Sequence, residues 1–146
     1  MRITHFSVQG NHLHLIVEAS GAAALSSAMQ GLAIRMAKGI NKLMGRAGKV
    51  FADRFHAHAL GSPTEARNAI DYVLGNARIH AARQGRVGHT GPDRFAAAPA
   101  QLEGAHAFWR SFDDGGPPIA KPRSWLLQHG WKLAKQRRGA PAFAFP

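Results

Sequence analysis

The N-terminal part of the chain alternates apolar and polar side chains, as half-buried β-strands do. The segment ITHFSV is β-branched and aromatic, and the segment HLHLIVE follows it closely. Between the two stand Gln9, Gly10 and Asn11, which are residue types that favour tight turns. Two short strands joined by such a turn predict an antiparallel β-hairpin.

A second alternating stretch, KVFADRFHAHAL, occurs later in the chain. In an extended segment Phe51 and Phe55 would lie on one side, with His56 and His58 on the other. We therefore expect a third strand in this region.

Two further stretches repeat their apolar residues at helical spacing. The first begins near Leu25 and ends near Gly45, with its apolar side formed by Leu25, Met29, Leu32, Met36, Ile40 and Leu43. Basic residues on its other side continue beyond the helix, and this basic stripe consists of Arg35, Lys38, Lys42, Arg46, Lys49 and Arg54. The stripe is either a solvated face or a surface that contacts DNA.

The second helical stretch has a well-defined start. Ser62-Pro63-Thr64-Glu65 combines a capping box with proline at the first helical position, so we expect a helix from there to about Arg83. Its apolar side is formed by Ala66, Ile70, Val73, Leu74, Ala77 and Ala81. Tyr72 lies nearly opposite the centre of that side.

The composition changes from Gly85 onward to glycine, proline, alanine and scattered arginine, which is typical of loops and linkers. A short helix is expected over residues 102–112, and SWLLQHGWKLAKQRR precedes a Pro/Ala/Phe-rich end. We therefore expect residues 1–84 to form the core and residues 85–146 to form a loop-rich basic extension.

The charge of the chain limits the classes of partner that we expect. With 19 Lys+Arg against 8 Asp+Glu, the formal net charge is +11, which favours polyanions and above all nucleic acid. We expect no membrane association and a cytoplasmic protein, because neither a membrane-spanning apolar run nor a signal peptide is present. The chain has no cysteine, so any metal must be held by His, carboxylate or amide groups.

His12 and His14 are the first candidate site. Successive side chains of a strand point to opposite faces, so these two rings project together at about 6.5–7 Å along the strand. Leu13, Leu15 and Val17 would then face a core. Two imidazoles on one face can bind a divalent cation and leave positions open for phosphate oxygens and water. The alternatives are surface or core histidines, and His56 with His58 offers the same pattern.

Tyr72 is the only tyrosine in the chain and lies on the polar side of its helix, together with Asn68 and Asn76. Asn76 follows it by one turn, so the Asn76 amide oxygen is a candidate metal ligand close to the phenol. The alternative is that Tyr72 packs against another element, since Ile79 shares its face.

The segments HFSVQGNHLHLIVEA, GKVFADRFHAHAL and EARNAIDYVLGNARIH together resemble the single-tyrosine HUH transposases, in particular the REP-associated tyrosine transposase branch. HUH denotes the His-hydrophobic-His motif, and the resemblance covers about residues 3–82. It implies an α+β fold, with helices packed on an antiparallel sheet derived from the ferredoxin-like fold. It also implies that His12, His14 and Asn76 bind Mg²⁺ or Mn²⁺, that Tyr72 is the nucleophile, and that His56 and His58 are secondary.

The function implied by this resemblance is DNA transposition. A tyrosine would cleave and rejoin hairpin-containing single-stranded DNA through a 5′-phosphotyrosine intermediate, and the protein would associate with the nucleoid when bound to DNA. A homodimer is one alternative, in which the helix that carries Tyr72 completes the active site on the sheet of its own chain or on that of the partner. One alternative is a truncated, catalytically inactive basic DNA-binding protein. The other is a metal hydrolase unrelated to DNA that uses His12, His14 and His56 and does not need Tyr72.

The chain departs from the family in two places. Members ordinarily have a strand and a helix before the equivalent of Arg2, so the first strand of the sheet is expected to be missing. That strand normally lies beside the HUH strand, so we expect the edge of the strand that carries His12 and His14 to be unpaired. Many members have proline where this chain has Ala77, and alanine should simply let the helix continue.

Overall fold

The structure, a computed structural model, describes residues 1–83, 95–97 and 119–135. Between residues 76 and 83 it describes the backbone alone, and the helix expected over residues 102–112 lies outside the described residues. The described chain is α+β and forms two compact units. One consists of Met1 and Ala19–Ala59, and the other joins Arg2–Glu18 to the described residues from Leu60 onward.

The hairpin prediction is confirmed. Strand β1 (Arg2–Gln9) pairs antiparallel with strand β2 (His12–Glu18). The turn between them needs a left-handed residue, and Gly10 supplies it with φ +52°. The register is interrupted between Ile3 and His5, where Thr4 is inserted as a bulge and its hydroxyl donates to the Ile16 carbonyl at 3.0 Å.

Helix α2 (Pro63–Arg83) begins and ends where the sequence predicts. The Ser62 hydroxyl accepts the backbone N–H of Glu65 at 3.3 Å, and the Glu65 carboxylate accepts the backbone N–H of Gly61 at 2.8 Å. The first bond satisfies a donor that the first turn of a helix leaves unpaired, and the second ties the residue before the cap to that turn.

The core of the second unit lies between α2 and the hairpin. Its buried residues are Ile16, Ala66, Ile70, Val73, Leu74, Ala97, Leu127 and Trp131. The predicted apolar face of α2 is therefore confirmed at every position whose side chain is described.

The prediction that Leu13, Leu15 and Val17 face this core is wrong. These three side chains are only half-buried, whereas Ile16, between them, is buried in the cluster. Ile16 lies on the same face as His12 and His14, because side chains two and four positions apart share a face of a strand. The physical reason is that α2 packs on the histidine face of the hairpin.

A segment near the end of the chain completes this unit. A π-helical turn (Leu126–Gly130) continues into an α-helical turn (Trp131–Leu133), and we call the two together the C-terminal helix. The Glu18 carboxylate accepts hydrogen bonds from the backbone N–H groups of Arg123 and Ser124 and from the Ser124 hydroxyl, at 2.7–3.1 Å. The C-terminal helix is thus held directly by the end of β2.

The outer edge of β1 carries hydrogen bonds at three positions. Val8 N–H donates to the Phe95 carbonyl at 2.8 Å, and Ala97 N–H donates to the Phe6 carbonyl at 2.8 Å. Further along, Ala120 N–H donates to the Ile3 carbonyl at 2.7 Å. Residues from the predicted extension therefore cover part of this edge. The edge that was expected to be unpaired is that of β2, and the described chain forms no further strand beside it.

The first unit is built on helix α1 (Ala22–Leu43), which confirms the predicted helix. The helix is capped at its C-terminus by a hydrogen bond from the Arg46 N–H to the Asn41 carbonyl at 2.9 Å. Gly45, between them, adopts the left-handed conformation with φ +59°. Within this helix no side chain is buried, and the predicted apolar side is half-buried except for the exposed Leu43.

The predicted third strand is wrong. Residues 50–60 form no strand, and the side chains of residues 52–59 are all exposed. Alternation of apolar and polar residues favours a strand only where a neighbouring strand accepts the backbone hydrogen bonds, and no such partner lies beside this described segment.

None of the described helices combines the length and the apolar character needed to cross a bilayer.

Candidate active site

The two histidines of β2 lie together as their spacing predicts. The ring centroids of His12 and His14 are 6.2 Å apart, and the ring planes are within 6° of parallel. His12 is exposed and His14 is half-buried, since His14 is one step closer to the core residue Ile16. The pair therefore spans the border between the core and solvent.

Tyr72 meets this pair at its buried end. The Tyr72 and His14 ring centroids are 5.1 Å apart at an interplanar angle of 87°, which is a favourable edge-to-face contact. Its sequence neighbours Asp71 and Val73 are buried, whereas 48% of Tyr72 remains exposed. Helix α2 thus brings the one tyrosine of the chain onto the histidine face and leaves part of it open to solvent.

Two residues of β1 belong to the same face, and the sequence prediction missed them. Gln9 is paired with His12, and Ser7 is paired with His14. The Gln9 amide donates to the Ser7 hydroxyl at 3.1 Å, and Ser7 is fully buried. The length of the turn would have predicted these two residues, because a two-residue turn fixes which residues of a hairpin stand opposite each other.

The donor atoms on this face suit a divalent cation. Two imidazoles supply nitrogen ligands, and the Gln9 amide opposite His12 is an oxygen donor of the kind that hard cations accept. No group of three or more His, Cys, Asp or Glu side chains that could hold a metal occurs in the described part of the chain. Any cation here would therefore need amide, water or phosphate oxygens to complete its coordination.

The remaining predicted site residues belong to the later part of α2 and to the first unit. Asn76 lies on α2 one turn after Tyr72, but its side chain is outside the described residues. His56 and His58 are exposed and belong to the first unit. The predicted DNA-binding cations are also exposed and in that unit: Arg35, Lys38, Lys42, Arg46, Lys49 and Arg54.

A third histidine of the hairpin, His5, has a structural role that the sequence did not reveal. Its Nδ1 lies 3.1 Å from the Thr4 hydroxyl, which gives its own proton to the Ile16 carbonyl. The hydroxyl must therefore accept, so Nδ1 carries the proton of a neutral ring. Burial lowers the pKa of His5 from 6.5 to about 4, which keeps the ring neutral beside the core.

Comparison with known proteins gives no match to a family model, to a curated protein or to a solved structure. Function must therefore be argued from the residues of the site.

Proposed function

We propose that this protein is a transposase-like nuclease that cleaves and rejoins single-stranded DNA through Tyr72. The observation that carries the proposal is the contact between Tyr72 and His14, with His12 alongside. A tyrosine with a purely structural role would bury its ring and satisfy its hydroxyl inside the core. Here the ring contacts a candidate metal ligand and remains half-exposed.

The chemistry requires a phenol oxygen that a phosphodiester can approach. In the proposed step Tyr72 Oη bonds to the phosphorus, and the bond between phosphorus and the 3′ oxygen breaks. The phenol loses its proton and the leaving 3′ oxygen gains one, which gives a 5′-phosphotyrosine and a free 3′-OH. Because the phosphotyrosine keeps the energy of the broken phosphodiester, the reverse attack by a 3′-OH rejoins DNA without ATP.

His12 and His14 would hold the divalent cation, Mg²⁺ or Mn²⁺, with Gln9 and Asn76 as candidate oxygen donors. When bound, such a cation would withdraw charge from the scissile phosphate. The His14 ring has a second role, since its edge-to-face contact limits the orientations open to the Tyr72 ring.

DNA as substrate is supported by charge. The chain carries a formal net charge of +11, and the cations of the basic stripe are exposed. Such a surface binds phosphates chiefly through counterion release, without regard to sequence. Hairpin-containing single strands are the substrate class that the family resemblance implies.

The second candidate function is a basic DNA-binding protein without turnover. The basic stripe belongs to the first unit, whereas Tyr72 belongs to the second. Binding of DNA to the stripe therefore requires no chemistry at Tyr72, which favours this alternative. Under this alternative the protein binds DNA and leaves it uncut with any divalent cation.

A cleavage assay distinguishes these functions. The full-length protein is incubated with a labelled hairpin-containing single strand and Mn²⁺, with EDTA as the metal-free control. We expect metal-dependent cleavage that is lost in His12→Ala and in His14→Ala. The matched control is His56→Ala, an exposed histidine of the first unit, which should cleave like the wild type.

Binding without cleavage under every metal condition would support the inactive DNA-binding protein instead. Cleavage that persists in Tyr72→Phe would reject Tyr72 as the nucleophile.

A further inference from the structure

The end of the described chain, in the second unit, presents a set of exposed basic side chains. We define the C-terminal surface by its exposed side chains, which are Lys121, Arg123, Trp125, His129, Lys132 and Lys135. The sequence from Ile119 to its last residue contains no acidic residue. The Glu18 carboxylate, which contacts this segment, accepts hydrogen bonds from Arg123 and Ser124.

The two described tryptophans of this segment have opposite environments. Trp131 is 9% exposed and packs in the core, where the Arg67 guanidinium lies 5.3 Å from its ring centroid. Trp125 is 57% exposed. Trp125 therefore presents an aromatic face to solvent six residues before a tryptophan that is buried.

Gly130 fixes where the Trp125 ring lies. A Cβ at Gly130 would come within 2.7 Å of Trp125 Cζ3, so only glycine leaves room for the ring at this position. The ring therefore lies along the helix, and more than half of it remains open. His129 follows Trp125 by four residues, which is almost one full turn of a π-helix, so its exposed side chain lies near the same face.

This surface is also held rigidly. Leu127 and Trp131 fix the helix to the core, Glu18 fixes the turn before it, and the Gln128 amide donates to the Pro122 carbonyl at 2.8 Å. A surface that is ordered before binding loses less conformational entropy when a ligand arrives.

We infer that the C-terminal surface binds single-stranded DNA, with an unpaired base stacked on Trp125 and the exposed cations of this segment on the backbone phosphates. An exposed aromatic ring together with cations is the combination that single-strand binding uses, since every base has a flat face and every nucleotide a phosphate. A duplex keeps its bases stacked inside and would contact the cations alone. The choice of DNA over other polyanions rests on the proposed function.

Binding is measured by fluorescence anisotropy with the full-length protein and a labelled oligothymidine that forms no hairpin. EDTA is present, so that no cleavage can occur. Stacking of one base contributes about 1–3 kcal/mol, so Trp125→Ala should raise the Kd about 5- to 150-fold. Trp125→Phe should retain most of the affinity, because it keeps an aromatic face.

The matched control is Leu133→Ala, since Leu133 is 73% exposed on the same helix and has no face on which a base can stack. It should leave the Kd unchanged. Lys132→Gln should weaken binding and lower the slope of log Kd against log salt by about 1. A duplex of the same length should bind with an affinity that Trp125→Ala does not alter.

A second measurement does not depend on the folding of any variant. Ultraviolet crosslinking of an oligonucleotide that carries 5-iododeoxyuridine, followed by peptide mass spectrometry, should place the crosslink in the peptide that contains Trp125. Unchanged affinity in Trp125→Ala, a crosslink confined to other peptides, or preferential binding to anionic phospholipid vesicles would overturn the inference. Because these assays contain no metal, their outcome is independent of whether Tyr72 cleaves DNA.

Discussion

Lowering the pH from 7 to 5 should destabilise the second unit through His5. Its ring is buried beside Thr4, and burial lowers its pKa from 6.5 to about 4. In the unfolded chain the same ring takes up a proton below about pH 6.5. The unfolded state therefore binds more protons than the folded state between these two values, and the free energy of unfolding falls as the pH falls.

The size of the effect follows from the two values. The change from 6.5 to about 4 corresponds to about 3 kcal/mol, of which about 2 kcal/mol is lost between pH 7 and pH 5. That is a large part of the roughly 5–15 kcal/mol by which a typical protein is stable.

Glu18 affects the free energy of unfolding at a lower pH than His5 does. Partial burial alone would raise the pKa of Glu18, but hydrogen bonds from Ser124 and Arg123 and the charge of Arg2 lower it below 4.5. Its ionised form therefore stabilises the folded state above about pH 4.5, and this contribution is lost only as the pH falls through the lowered pKa. Comparing pH 7 with pH 5 thus excludes the titration of Glu18.

Urea unfolding followed by circular dichroism at both pH values provides the assay. His5→Phe keeps a ring of similar size and removes the titration, so its difference in free energy between pH 7 and pH 5 should be about 2 kcal/mol smaller than that of the wild type. His129→Gln, at an exposed position, is the control and should retain the wild-type difference. The reasoning is refuted if His5→Phe keeps the full wild-type dependence on pH.

Three further variants test the packing. Trp131→Ala should cost about 3–5 kcal/mol of unfolding free energy by urea titration, because the ring is buried in the core, and a loss below 1 kcal/mol would contradict its place there. Glu18→Gln should cost about 1–3 kcal/mol and expose the C-terminal helix to proteolysis; wild-type protease resistance would argue against this connection. Ser62→Ala should cost about 1 kcal/mol by removing the cap of α2, and an unchanged melting temperature would show that the cap contributes little.

The elements that the sequence predicted correctly are those specified by neighbouring residues. The hairpin follows from alternation around Gly10, and the start of α2 follows from a capping box that lies within four residues. The position of Tyr72 on the exposed part of α2 follows from helical periodicity in the same way.

The features that the prediction missed depend on residues far apart in the chain. Glu18 holds Ser124, which is 106 positions away, and neither residue carries a local signal for the contact. Phe95 pairs with Val8 on the edge of β1 although it lies in a stretch whose composition is typical of loops. Such pairings are decided by the tertiary fold, which local propensity does not encode.

The wrong core face of β2 has a related cause. Alternation divides His12–Glu18 into two faces, but it does not say which of them a helix will cover. Three half-buried apolar residues outnumber Ile16 on that strand, yet α2 packs on the face of Ile16. This packing is also what brings Tyr72 to His14, so the same error hid the closest contact of the candidate site.

The central claim is that the Tyr72 hydroxyl attacks DNA. The most direct test is peptide mass spectrometry of the covalent product formed with hairpin-containing single-stranded DNA and Mn²⁺. We predict a nucleotide attached through its 5′-phosphate to Tyr72, and no adduct in Tyr72→Phe, a variant that keeps the ring contact with His14. An adduct on another residue, or an undiminished adduct in Tyr72→Phe, would contradict the claim.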